Sequence, residues 1–345
     1  MINRRTLLLG TAGLAVGSLM SGCSPSAGAL LMTLLEGSMP SEVLRQFRKQ
    51  QTERVKFQSF AQMQRIFQQL QRWQQNPEQS VSFWQRLVSS SSASSAPVAD
   101  NLVSLGDYWL ESAIAQDLIE PLNLPDETWS ALPLQWQQFV HRDSQGRIVS
   151  LGESSGKFWA APYNVQSLIG VYRNSQFPTE DRDKQPFEAW EELLTPQLRQ
   201  SIALPNHPNI VLGLLQKLAS GRFNASFDSL VKSDAATSQL VEQLSAQLSD
   251  PFKALNQQVK TYDAETALKA LVNEDVQVVV AWSGDVVTAL QRYRDLRAVV
   301  PSEGSLLSAD MWVQPKKTEL SAIAQNWIDF CWQKDVATQL SLSGR

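Results

Sequence analysis

Val276-Gln277-Val278-Val279-Val280-Ala281-Trp282-Ser283-Gly284-Asp285 is the stretch on which the reading of this chain turns. Its β-branched run is of strand length and apolar on both faces, the composition of a strand covered on both sides of a parallel or mixed α/β sheet. Val286 to Tyr293 then takes helical spacing, so the segment reads strand, turn, helix. Such a turn delivers Trp282 and Asp285 to the carboxyl end of the strand, where open α/β sheets bind their ligands. An aromatic face beside a carboxylate suits an organic cation. The ring attracts an ammonium through its quadrupole and the carboxylate accepts a charge-assisted hydrogen bond. In the competing reading Asp285 only caps the helix and Trp282 only fills core. A similar pairing, Asp310 with Trp312 in Ser308-Ala309-Asp310-Met311-Trp312-Val313, supports the binding reading, with an ordinary polar residue at a strand start as its alternative.

Working outward, the alternation of strand and helix recurs. Ala29 to Leu35 is an apolar strand, and a helix after Pro40 carries Val43, Leu44 and Phe47 on one side. Val55 to Phe60 alternates as a strand, Met63 to Trp73 is helical, and Asn101 to Gly106 is a buried strand leading into a helix at Asp107-Tyr108-Trp109-Leu110. Phe158 to Tyr163 and Leu168 to Tyr172 read as two extended segments. From Phe187 to about Lys269 the pattern is mostly helical around a strand at Ser201 to Leu204, and a final helix spans Leu320 to Trp332. This order predicts an α/β layered fold. The serine run Ser89 to Ser95 reads as a solvated loop.

Composition narrows the chemistry. With 345 residues, 43% hydrophobic and 19% charged, the chain is long enough for two globular domains and is neither fibrous nor disordered. Thirty basic against 34 acidic residues give a net charge of −4, a poor balance for nucleic acid and a reasonable one for cations. Two cysteines and two histidines are too few for a disulfide framework or a zinc cluster, and no metal or cofactor is implied. His207, between prolines, reads as a turn residue. Gly-x-Ser-x-Gly, Walker and Gly-x-Gly-x-x-Gly patterns are missing from the sequence, so nucleophilic hydrolysis, nucleotide hydrolysis and dinucleotide binding have no local support, and a secreted enzyme with a Trp-lined cleft is the enzymatic alternative.

Residues 1–22 have the layout of an export signal: Arg4-Arg5, about fifteen apolar or small residues, then Ser21-Gly22 before Cys23. Ser21-Gly22-Cys23 resembles the lipobox of bacterial lipoproteins, which implies a lipid on Cys23 and a chain anchored outside the cytoplasm; an uncleaved anchor helix is the alternative. Arg4-Arg5 also resembles a twin-arginine signal. Loss of the two arginines takes the 30 basic residues to 28 against 34 acidic, a net −6.

The order of segments resembles the extracytoplasmic solute-binding proteins of ABC importers, in their spermidine/putrescine-binding branch. The resemblance is carried by Leu35-Glu36-Gly37-Ser38-Met39-Pro40, Ser104-Leu105-Gly106-Asp107-Tyr108-Trp109, Leu118-Ile119-Glu120-Pro121-Leu122, Ala161-Pro162-Tyr163, Trp282-Ser283-Gly284-Asp285, Pro301-Ser302-Glu303-Gly304 and Asp310-Met311-Trp312. It implies a two-lobed, type II-like periplasmic-binding-protein fold, with mixed sheets flanked by helices and a ligand cleft between the lobes. The first lobe is expected over 29–161 plus 283–306, and the second over 162–282 plus 307–345. Crossings are expected near Ala161-Pro162, near Trp282 and near residues 306–310.

The resemblance further implies that Trp282 walls a polyamine's methylenes, that Asp285 and Asp310 pair with its ammonium groups, and that Tyr108, Asp107 and Trp312 contribute contacts. The family's Asn-Trp-Ser/Thr-Asp/Glu-Tyr opening is here Glu36-Gly37-Ser38-Met39, so Glu36 or Ser38 is expected to stand in; the acidic turn of the second lobe is here Pro205-Asn206-His207-Pro208-Asn209. The expected partners are a small cation of putrescine or spermidine type and an inner-membrane permease, and the protein is expected to be a monomer. Sugars, amino-acid derivatives and ferric ion are the competing solutes, although the adjacent tyrosine pair of the ferric branch is missing from this sequence.

Overall fold

The structure, a computed structural model, describes residues 30–75, 102–177, 187–223, 237–264 and 266–342. The expected leader, Cys23, the serine run and the acids Glu180, Asp181 and Asp183 lie outside the described residues.

The chain opens with β1 (Leu30–Leu35), α1 (Ser41–Gln50), β2 (Val55–Phe60), α2 (Met63–Gln75), β3 (Leu102–Gly106), α3 (Asp107–Ala115) and β4 (Ile119–Glu120). Helices α4 (Asp126–Ser130) and α5 (Leu134–Val140) and the paired β5 (His141–Arg142) and β6 (Lys157–Phe158) lead into the long strand β7 (Ala161–Arg173). Next come β8 (Ile202–Leu204), α6 (Pro208–Ser220), α7 (Thr237–Gln258), β9 (Val259–Tyr262), α8 (Ala267–Val272), β10 (Val278–Trp282), α9 (Ser283–Arg292) and β11 (Leu296–Val299). Strand β12 (Leu307–Pro315) and helices α10 (Ala322–Trp332) and α11 (Lys334–Leu342) complete the described chain.

Two sheet regions with one topology result, joined through β7 into a single ten-stranded sheet. In the first, the order is β2-β1-β3-β12-β4, with β1, β2 and β3 parallel and β12 antiparallel to its neighbours. In the second, the order is β9-β8-β10-β7-β11, again with three parallel strands and an antiparallel fourth, β7. The first takes its antiparallel strand, β12, from a distant part of the chain, whereas in the second β7 directly precedes β8. The two extended segments expected around residues 158–172 form one continuous strand because β7 changes partners midway: Ala161–Ser167 pair with β12, and Leu168–Tyr172 with β10.

The valine run behaves as its composition requires. Val278 and Val280 enter a core with Leu168, Tyr172, Ile202 and Leu204, while Val279 and Ala281 enter another, on the opposite face, with Ile169, Val171 and Ala203. Alternate residues of one strand bury against helices on both sides, so no position on it needs to be polar. A third core unites β1, β3 and β12 with α1, α2 and α10 around Phe47, Trp312 and Trp327.

This packing departs from the expected lobe boundaries. Val286 of α9 and Leu296 of β11 join the second lobe, since α9 folds back over the sheet it has just left and β11 pairs with β7. Trp327, Ile328, Phe330, Val336 and Leu340 of α10 and α11 belong to the first-lobe core rather than to the second. The chain does not cross near Trp282. It passes between the core clusters within β7 and again at the start of β12, so one group of core residues lies within about 30–163 plus 309–342 and the other within about 168–306.

Candidate functional site

Three turns at the carboxyl ends of parallel strands supply the site. At the end of β3, Gly106 leads directly into α3, and a Cβ there would lie 2.7 Å from the Tyr108 ring, so glycine makes room for that ring. At the end of β8, the Pro205-Asn206-His207 turn starts α6 with Pro208 in its first turn, where the missing N–H of proline costs nothing. At the end of β10, Trp282 immediately precedes α9.

These turns meet at the crossing segment. Asp107, Tyr108, His207, Asn209, Trp282 and Ser308 line a cavity of about 240 Å³, with Asp107 and Tyr108 contributed by the first lobe and His207, Asn209 and Trp282 by the second. Tyr108 is 46% exposed, and its ring meets the His207 ring edge-on at 5.9 Å. An adjoining chamber of about 480 Å³ shares Asp107, Leu306, Leu307 and Ser308 and is otherwise lined by Gln135, Trp136, Phe139, Phe223, Ser305 and Ala309. A further hollow, of about 630 Å³, is lined by Trp129, His141 and Phe158 among others and shares no residue with these two.

Asp107 stands at the junction of the two chambers. Its Oδ1 accepts hydrogen bonds from Ser308 Oγ at 3.0 Å and from the Ala309 N–H at 3.3 Å, which ties α3 to the crossing segment. Burial raises its pKa above the usual carboxylate value; these two hydrogen bonds oppose the rise and the nearby Asp310 charge adds to it. A carboxyl that is costly to ionise and open to a cavity gains by pairing with a cation, because the cation offsets what desolvation costs.

The other expected residues are placed differently. Asp310 is 2% exposed on β12, opposite Gly106 and Asn164 at a register shift, so it lies beneath the cavity rather than in its wall. Asp285 sits half-buried in the first turn of α9 and lines neither chamber. Trp312 is a correction: it is fully buried, stacked on Tyr163 at 4.7 Å and edge-on to Trp327 at 5.7 Å, because β12 runs through the centre of the first sheet. Ser38 is also withdrawn from the cleft: its Oγ donates to Leu35 O at 2.8 Å and accepts from the Tyr163 hydroxyl at 3.3 Å. Glu36 is exposed on the turn after β1 and lines neither chamber. Sequence reasoning passed over His207, Asn209 and Ser308 as ligand-facing groups. Their position after β8 and before β12, the same sheet-edge position as the other two turns, was the available signal.

Residues 96–345 match the family model described as bacterial extracellular solute-binding protein. The chain belongs to this family. The bacterial extracellular solute-binding proteins bind small ligands outside the cytoplasm and work with the permeases of ABC importers, a transport role rather than an enzymatic one. No helix among the described residues of this solute-binding protein is long and apolar enough to cross a membrane.

Solved structures share the fold. The spermidine/putrescine substrate-binding protein PotD of Streptococcus pneumoniae superposes with a TM-score of 0.62 at 20% identity, covering 90% of this chain and 80% of that one. The TpPotD lipoprotein of Treponema pallidum gives 0.59 at 14% identity, over 91% and 83%. Iron-bound HitA of Pseudomonas aeruginosa gives 0.57 at 12% identity, over 90% and 83%. At these identities the likeness is one of architecture, and the solutes named for the Streptococcus pneumoniae and Pseudomonas aeruginosa proteins differ. No curated protein matches the sequence.

Proposed function

We propose that this solute-binding protein captures an organic cation of the polyamine class and delivers it to its permease. The observation that carries the reading is the single cavity in which Asp107, Tyr108 and Trp282 converge from both lobes. Asp107 accepts the ammonium, while Tyr108 and Trp282 flank the methylenes and contribute cation–π attraction. Because these contacts come from both lobes, the ligand favours the arrangement in which the lobes approach each other, and the permease reads that arrangement. The buried charge of Asp310 reinforces the negative potential from below. On this reading the leader is removed and Cys23 carries the lipid that holds the protein at the membrane.

The test is thermal unfolding with putrescine, spermidine and a neutral sugar. A ligand at a hundred times its dissociation constant adds about 2.7 kcal/mol, which raises the unfolding temperature by a few degrees. Stabilisation by an amine that disappears in Asp107→Asn supports the proposal. Stabilisation by the sugar alone refutes it.

One observation favours a second reading. Helix α6 opens at His207-Pro208 with no acid in its first turn, and unmet amide groups at a helix start attract an anion. An amino-acid derivative, with its ammonium at Asp107 and its carboxylate at His207 and Asn209, would be stabilising where simple amines are not.

A further inference from the structure

We infer that the preferred solute is a monocationic amine bearing an aromatic or comparably bulky apolar group, with its ammonium at Asp107 and its apolar end in the adjoining chamber. This inference rests on the organic-cation part of the proposed function and replaces its polyamine with a monoamine at the same carboxylate. Three features lead to it.

The first is continuity. The two chambers share Asp107, Leu306, Leu307 and Ser308, so a solute anchored at Asp107 has space on both sides of its charge. The combined site is longer than Tyr108 and Trp282 alone can cover.

The second is lining chemistry. Trp136 and Phe139 come from α5 in the first lobe, and Phe223 follows α6 in the second, so the larger chamber is also bounded by both lobes. Trp136 meets Phe139 edge-on at 5.8 Å, an arrangement whose open faces suit insertion of another ring or a branched chain. Methylenes of a linear diamine fill such a space poorly, whereas an apolar group of ring size recovers its full burial energy there.

The third is charge. Among the described residues that line either chamber, Asp107 is the one carboxylate. A second ammonium pushed into the aromatic chamber would be desolvated without an ion-pair partner, an unfavourable exchange. The site therefore discriminates by what surrounds a single charge and not by the spacing of two.

The experiment is calorimetric titration of the purified protein with phenethylamine, n-butylamine and putrescine, repeated on Trp136→Ala and Asp107→Asn. The inference expects phenethylamine to bind roughly ten-fold or more tightly than either competitor, Trp136→Ala to bring it to the n-butylamine level, and Asp107→Asn to weaken all three. If putrescine binds most tightly, or if Trp136→Ala leaves the ranking unchanged, the aromatic-amine inference falls while the organic-cation reading stands. If none of the three binds, that underlying reading falls and takes the inference with it. Should Trp136→Ala fail to fold, Phe223→Ala removes the opposite wall of the same chamber and carries the same test.

Discussion

Gln166 shows how a single side chain reports on the crossing. It lies on β7 where the chain passes between lobes, and both polar atoms of its carboxamide are buried without a hydrogen-bond partner among the described residues. Gly284 packs against it, since a Cβ there would lie 2.8 Å from Gln166 Nε2. The glycine of the Trp-Ser-Gly-Asp motif thus serves packing at the crossing rather than ligand contact. An unsatisfied buried amide costs about 1–3 kcal/mol, so Gln166→Met is expected to raise unfolding free energy by about 1 kcal/mol, measured by urea denaturation. Asp107 gives a second prediction at this scale. Because its folded-state pKa is raised, the folded protein holds that proton more tightly, and stability falls as pH climbs from the ordinary value of 3.8 through the raised one. Asp107→Asn is expected to flatten that part of the stability profile, and cation binding to the native protein should strengthen as pH rises through the same window.

Among elements, the segment Pro301 to Gly304 has a structural task that its motif did not reveal. Glu303 pairs with the buried Lys217 of α6 at 2.6 Å and accepts the Trp190 N–H at 2.7 Å, while Trp190 Nε1 donates to Gly304 O at 2.9 Å. Burial tends to raise the Glu303 pKa, but Lys217 and the Trp190 amide outweigh it and hold it below the usual value. The stability this contributes is present above 4.5 and is lost as pH falls through the lowered pKa. Glu303→Ala leaves Lys217 with the Gly221 carbonyl as its recorded acceptor, at 2.7 Å. The expected cost is about 3 kcal/mol, much of it recovered in the double variant with Lys217→Met, as a double-mutant cycle by chemical denaturation can show.

The elements were largely legible because their patterns are local. Val55–Phe60, the helix from Met63 and the strand–turn–helix at Val278–Arg292 follow from period and composition alone. Strand β9 and the continuity of β7 were not legible, because both depend on which distant strand lies alongside. For the site, Trp282, Tyr108 and Asp107 were legible as residues at strand ends. Trp312 was misread because an aromatic beside an acid looks the same whether the strand is central or at an edge, and His207 was dismissed because a histidine between prolines carries no sign of what faces it across the cleft.

For the whole molecule, the interleaving of the chain makes one lobe depend on its far end. Trp327 contacts Phe47, Phe57 and Trp312, and Phe330 contacts Phe47, so α10 completes the core that β1 and α1 begin. Removal of residues 316–345 is therefore expected to unfold the first lobe and leave the second, whose core lies within 168–299, as a protease-resistant fragment detectable by limited proteolysis and mass spectrometry.

That arrangement also sets a timetable for synthesis. As the polypeptide emerges from the ribosome, the second lobe has all of its strands once Val299 is out, whereas the first lobe waits for β12 and the two helices after it. The half made first is the half that matures last. A newly made chain thus keeps the halves of one hydrophobic core apart until Leu340 has emerged, and a secretion channel that must thread unfolded protein has that interval in which to take it.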